Sequence, residues 1–331
     1  RMTSNPTLTR FFTTQALRLT PLTPIHIGCG IDFEPTNYVI DEGVLYHFDP
    51  AQVRLTEKDG KELAAASGAR DHVEAILRVQ RFFDDRRENY KLASHAQLPV
   101  SSGVERWYQD RVGRVVQVED NGRAAVRNNL AIERCVHHPH THDPYLPASS
   151  LKGSIRTAWL NHLAARHASP RAPERSPERG PRRDEGKDLE RSLLGGQFET
   201  DPFRLLKLSD AQGSLARQVV LAVDRDKEPR YDPRTGQPRE KDLFVRREVV
   251  LGGQYRALSC ELRMDQLPQK DFFDFKGNLV APQVQRRLPA FGELAQACNA
   301  FYQGRLKEDF EVLEQRRFCE EWLPGFQGLL R

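Results

Sequence analysis

Much of what usually identifies a protein is missing from this 331-residue chain. No apolar run approaches the roughly 18 residues that a membrane span needs. The opening stretch, RMTSNPTLTRFF, lacks the long apolar core of a secretion signal. The five cysteines (Cys29, Cys135, Cys260, Cys298 and Cys319) are odd in number, widely spread and without a CxxC pair. That argues against a disulfide framework and fits a reducing, cytoplasmic setting. There is no GxSxG elbow, no HExxH and no GxxxxGK[ST] loop, and no Cys/His pair stands in a recognisable catalytic context. Acids are plentiful, but no spacing marks two of them as a pair. No repeat of fixed period is visible. A strong excess of one charge is also absent: the net charge is +4. This permits a nucleic-acid partner without demanding one, because phosphate binding depends on how cations cluster.

What is present reads as a soluble α+β chain, with 38% hydrophobic and 29% charged residues. QALRLTPLTPIHIG alternates as a strand would, and NYVIDEGVLYHF is two short β-rich runs joined by Asp41-Glu42-Gly43, a hairpin signal. DHVEAILRVQRFFDD places Val73, Ile76, Leu77 and Phe83 near one helical face. Residues from about 97 to 134 read as strand again. A helix is expected from about Ser150 to Arg166. The Pro-rich charged stretch that follows reads as a flexible insertion over residues 169–191. It separates an N-terminal part (1–168) from a C-terminal part (192–331). In the latter, RQVVLAV and LFVRREVVL flank a mixed-charge tip, forming a long β-hairpin over about 224–248. Phe291, Leu294, Cys298, Phe301, Leu306, Phe310 and Leu313 mark a terminal helix.

Three stretches could carry chemistry. In YLPASSLKGSIRTAW, a serine ahead of a helix satisfies free backbone N–H groups, and the same helix start attracts anions. Gly153 allows close backbone approach, and Lys152 and Arg156 lie one turn apart. PIHIGCG offers His26, Gly28 and Gly30; without a third glycine and a following helix it is a weak dinucleotide motif, and its glycines suit a bent strand end. CVHHPHTHDP gathers Cys135, His137, His138, His140, His142 and Asp143. These are zinc-ligand types, but their spacing matches no standard pair, and an imidazole-rich loop also suits stacking on RNA bases.

Taken in order, LRLTPLTPIHIGCG, YLPASSLKGSIRTAW and VDRD…RTGQPREKDLFVRREVV resemble the RAMP superfamily of CRISPR-associated proteins. Within it they resemble the subunit that caps the 3′ side of the guide RNA in the type III-A Csm effector complex. The family pattern is P-h-H-I-G-x-G (h apolar), then h-P-x-S-S-L-K-G-x-h-R, then a D-R-x-T-G-like hairpin ending in L-F-x-x-E. Asp224, Arg225, Arg234, Thr235, Gly236, Leu243, Phe244 and Glu248 match the last part. The resemblance spans roughly Leu17 to Leu262. It departs in one place: the Gly-rich loop that family members carry near the C-terminus has no counterpart after Pro289.

The resemblance implies a ferredoxin-like, RRM-related core with inserted helices and a hairpin thumb over about 224–248. It implies RNA contacts at His26, Gly28, Gly30, Ser149, Ser150, Lys152, Gly153, Arg156, Arg225, Arg234 and Phe244. The partners are guide RNA (crRNA), its duplex with target RNA, and the backbone and small Csm subunits, with no cofactor, no metal and no membrane. Such a subunit binds without catalysing. The alternative is a metal-independent endoribonuclease in which His26 takes a proton and Lys152 steadies the phosphate; Asp32 lies in the region where cutting relatives carry an Asp, in a context that matches poorly. A zinc protein built on residues 135–142 is the third possibility.

Overall fold

The computed structural model describes residues 12–114, 117–118, 124–125, 130–166, 185–194, 200–223, 230–231, 234, 238–239, 244–265, 272–273, 279–280 and 288–314. In chain order the strands are β1 Phe12–Leu19, β2 Gly28–Phe33, β3 Tyr38–Asp41, β4 Val44–His47, β5 Ala96–Pro99, β6 Gln117–Val118, β7 Ala124–Ala125 and β8 Ile132–Cys135. They continue with β9 Leu206–Leu208, β10 Arg217–Val223, β11 Arg230–Tyr231, β12 Pro238–Arg239, β13 Phe244–Val250, β14 Leu258–Asp265, β15 Phe272–Phe273 and β16 Leu279–Val280. The helices are α1 Glu57–Ser67, α2 His72–Asp85, α3 Arg87–Leu92, α4 Ser102–Arg111, α5 Ala148–Arg166, α6 Glu185–Leu194 and α7 Phe291–Glu314. The fold is mixed α+β. Contacts divide it into two compact units, one of residues 1–19, 146–212 and 258–331, the other of residues 20–145 and 213–257.

The first unit is a three-stranded antiparallel sheet, β1-β14-β9, carrying helices on one face. β14 shows why: Leu258, Cys260, Leu262 and Met264 are buried while Glu261 and Arg263 are exposed, the period-two pattern of a half-covered strand. Leu262 and Met264 join Phe203, Leu206, Leu194 and Leu294 in one core, against which Ile155, Trp159 and Leu163 of α5 pack. Residues 185–191, at the end of the expected insertion, belong to α6, whose Leu193 and Leu194 are buried. The rest of that insertion, residues 169–184, lies outside the described residues.

The second unit holds a four-stranded sheet, β10-β13-β8-β2, and a three-stranded meander, β3-β4-β5. The expected hairpin forms with Asp41 opposite Val44; Glu42 and Gly43 both take positive φ, 48° and 76°. That is what a two-residue turn between twisted strands requires. β10 and β13 pair antiparallel from Arg217↔Val250 to Val223↔Phe244, as the two flanking runs implied, and β11 pairs with β12 between them. α2 begins at Asp71, whose carboxylate accepts from Val73 N–H, and buries Leu77, Phe82 and Phe83.

One stretch differs from its sequence reading. Within residues 97–134, read as strand, Ser102–Arg111 is helical. Val104, Trp107 and Tyr108, at i, i+3 and i+4, enter the core with Tyr38, Leu98 and Ile132. The valines that follow gave the whole stretch its β character.

Candidate nucleic-acid interface

The start of α5 is built by long-range pairing. Leu146 and Ala211 exchange backbone hydrogen bonds of 3.0 and 2.9 Å, and Ala148 N–H donates to the Asp210 carboxylate at 2.7 Å. The expected serine cap is therefore corrected. Ser149 and Ser150 already lie inside the helix, and an aspartate from a distant part of the chain takes the first N–H, adding a negative charge where the helix dipole favours one.

Lys152 and Arg156 turn inward. Lys152 Nζ donates to the Leu206 carbonyl at 2.8 Å. Burial holds its pKa below the ordinary lysine value, and Lys207 and Arg156 push the same way against Asp201. Arg156 Nε donates to Glu190 at 2.8 Å, its Nη1 pairs with Asp201, and the guanidinium lies 5.5 Å from the Phe203 ring. Both cations thus fasten α5 to β9 and to the segment around Asp201. What the helix start presents outward is small and polar: Ser149, Ser150, Gly153, Ser154 and Thr157 are exposed. A Cβ added at Gly153 would meet nothing within 4 Å.

His26, Gly28 and Gly30 belong to the second unit. Gly30 needs to be glycine for its φ of 75°, at the register shift between Gly28 and Asp32 where β2 leaves regular pairing with β8. Gly28 makes room for a side chain rather than a backbone, since a Cβ there would sit 3.3 Å from His26 Nε2. His26 Nδ1 donates to the Glu248 carbonyl at 2.8 Å, and Nε2 faces the Glu133 carboxylate at 3.5 Å. Glu133 is also held by Arg247 Nε at 2.5 Å.

Glu248 is the centre of this network. It is 2% exposed, and its carboxylate accepts from Cys135 N–H at 2.9 Å and from Arg217 at 3.0 Å. The last residue of the hairpin motif and the histidine of the first motif are therefore one structural lock. Residue spacing could not reveal this, nor the roles of Asp210, Asp201, Glu190, Glu133 and Arg217, because each acts across a long sequence separation.

Of the remaining expected contacts, Phe244 opens β13 half-buried, and Arg234 is exposed in a turn. Arg225 lies outside the described residues. In the Cys135–Asp143 stretch the cysteine turns away: Sγ donates to the Glu248 carbonyl at 3.1 Å, and burial pushes its thiol up to about 12. Among the described residues no group of three His, Cys, Asp or Glu side chains could hold a metal ion. Among them, too, no helix is long and apolar enough to cross a membrane.

A family model described as RAMPs, the RAMP superfamily, matches residues 18–261. The CRISPR system Cms protein Csm5 of Methanocaldococcus jannaschii is 25% identical over 191 residues, 57% of this chain. The match spans only 41% of that protein's length. Among solved structures, the crystal structure of T. onnurineus Csm5 superposes with a TM-score of 0.52 at 15% identity, covering 94% of this chain and 86% of that one. A chain of the cryo-EM structure of a Csm-crRNA-target RNA ternary complex in a type III-A CRISPR-Cas system gives 0.49 at 17% identity, covering 95% of this chain and 81% of that one.

Proposed function

The chain belongs to the RAMP superfamily, and from that premise we propose that it is the guide-RNA-binding subunit capping the 3′ side of the crRNA in a type III-A Csm effector complex. In this reading the core is ferredoxin-like, the β10–β13 hairpin with its 224–248 tip is the thumb against the guide–target duplex, and backbone and small Csm subunits flank it in the cytoplasm. The curated relative is named Csm5, which supports the assignment of subunit. The observation that carries the RNA contact is the outward face of α5's first turns. Ser149 and Ser150 are exposed there, and Gly153 leaves open space beside them, a small polar surface that an RNA backbone can approach closely. Lys152 and Arg156 then act from behind, holding that face in place through Leu206, Glu190 and Asp201. The ribonuclease alternative is less well supported, since both ring nitrogens of His26 already face protein oxygens.

Phosphate contacts position a nucleic acid without reading its bases. The test is gel-shift binding of single-stranded RNA over a salt series for the wild type and Gly153→Glu. The substitution places an acid near a helix start, where it favours the helix, so the thermal midpoint should hold. Affinity should fall about tenfold, alike for different guide sequences, with a flatter salt slope. Unchanged RNA binding by a folded Gly153→Glu protein would remove the proposed contact.

A further inference from the structure

Four imidazoles that the RNA reading does not use meet in the second unit. His47 ends β4, His95 precedes β5, and His137 and His142 lie in the loop after β8. Their ring centroids are separated by 4.4 Å (His47 to His95), 5.2 Å (His95 to His142) and 5.7 Å (His142 to His137). His47 is 7% exposed, and its Nδ1 and that of His142 are buried without a hydrogen-bond partner. Such a cluster accommodates neutral rings far better than charged ones.

The surroundings act in the same direction. Arg134, its guanidinium 4.5 Å from the Phe33 ring, bears on His47, His95 and His142. Arg217 also opposes charge on His142, and the histidines oppose charge on one another. Asp49 favours a charged His95, and Glu248 and Cys29 bear on Arg134. Burial is the largest influence on each ring: it brings His47 down to about 3 and holds His95 and His142 below the ordinary histidine value.

The loop carrying His142 is held largely by bonds of its own: His137 Nδ1 donates to the Cys135 carbonyl at 3.0 Å, and His140 N–H and Asp143 N–H donate to His138 Nδ1 and Thr141 Oγ1, each at 3.3 Å. His138 N–H donates to the Asp143 carbonyl at 2.8 Å, His142 N–H to the His138 carbonyl at 2.9 Å, and Arg217 Nη1 to the His142 carbonyl at 3.2 Å. His142 itself sits at a φ of 57°, a conformation that a residue with a side chain keeps only where its surroundings hold it.

We infer that residues 137–143 form an acid-released latch, docked through neutral His142 on His95 and His47 beside Arg134 and freed when these rings take up protons. Undocked, the rings regain an ordinary pKa of about 6.5. Each ring released this way makes opening up to about tenfold more favourable per pH unit below that value.

Native-state hydrogen exchange on the full chain tests this. Corrected for intrinsic exchange, protection at the amides of His138 and His142 should fall at least tenfold between pH 7.5 and 5.5, while the amides paired between β10 and β13 keep theirs. His142→Asn removes the titrating ring and retains a residue that tolerates positive φ; its loop should respond several-fold less to pH. His95→Gln, a change at an exposed ring, should blunt the response similarly and serves if His142→Asn does not fold. Wild-type loop protection that tracks the β10–β13 amides overturns the latch, as does an undiminished response in the folded variants. Ring protons of His95 and His142 titrating near 6.5 in the folded protein would overturn it too.

Discussion

Lys152 and Glu248 are two residues of the family pattern whose burial has opposite consequences. Lys152 is charged while half-buried, next to Lys207 and Arg156. Its pKa is lowered in the fold, so the native state holds that proton less firmly than the unfolded chain does. Stability from this group is fully present only above the unfolded value of about 10.5, and is lost as pH falls through the lowered native one. At neutral pH the charge is a cost. Lys152→Met should therefore leave the unfolding free energy unchanged, or raise it by up to about 1 kcal/mol, in urea melts at pH 7. RNA affinity should drop in the same protein. A clear loss of stability would mean that the hydrogen bond to Leu206 outweighs the burial cost. Glu248 is the opposite case, a buried acid with every partner in place. Glu248→Ala leaves Arg217 and the Cys135 N–H without their acceptor, and unfolding should become easier by about 3–5 kcal/mol. A fall below about 1 kcal/mol would argue against the lock.

At the scale of elements, legibility followed the range of the interaction. The β3–β4 turn, α2 and the β10–β13 pairing were readable because hydrophobic period and turn residues lie within a few positions of one another. α4 was not, because a short helix with three core residues stood beside a valine-rich run, and packing against Tyr38 and Ile132 decided its state. The start of α5 was read correctly as a place and wrongly in its chemistry: the polar residue that caps it is Asp210, not a serine. Asp210→Ala should cost about 1 kcal/mol of stability, while Ser149→Ala, at an exposed in-helix position, should change it by less than about 0.5 kcal/mol. Matching costs for the two variants in thermal or urea unfolding would restore the serine as a cap. The open hydroxyl face of the helix was legible only through the motif as a whole, since exposure depends on what the rest of the chain leaves uncovered.

The whole molecule is organised by contacts that interleave the sequence. β1, at the start of the described chain, pairs along its full length with β14, and α5 from the middle packs against α7 from the end. A boundary drawn along the sequence at 168 and 191 cannot express this grouping, because strand pairing brings together segments that composition sees as unrelated. The charged insertion nevertheless gives a sharp test of where the folded part resumes. Leu193 and Leu194 are buried, and Glu190 receives the Nε donor of Arg156, so α6 contributes to the first unit while residues 170–183 carry no large apolar side chain. Deleting residues 170–183 should leave the thermal midpoint within about 1 °C of the wild type, the shift of a change under about 1 kcal/mol in a protein of this size. Extending the deletion through Leu194 removes two core leucines and a partner of Arg156, and should lower stability by several kcal/mol, about 2–5 for each buried leucine by the usual scale of core truncation. Equal midpoints for the two deletions would detach α6 from the core. A large fall in the shorter one would instead make the Pro-rich stretch part of the fold.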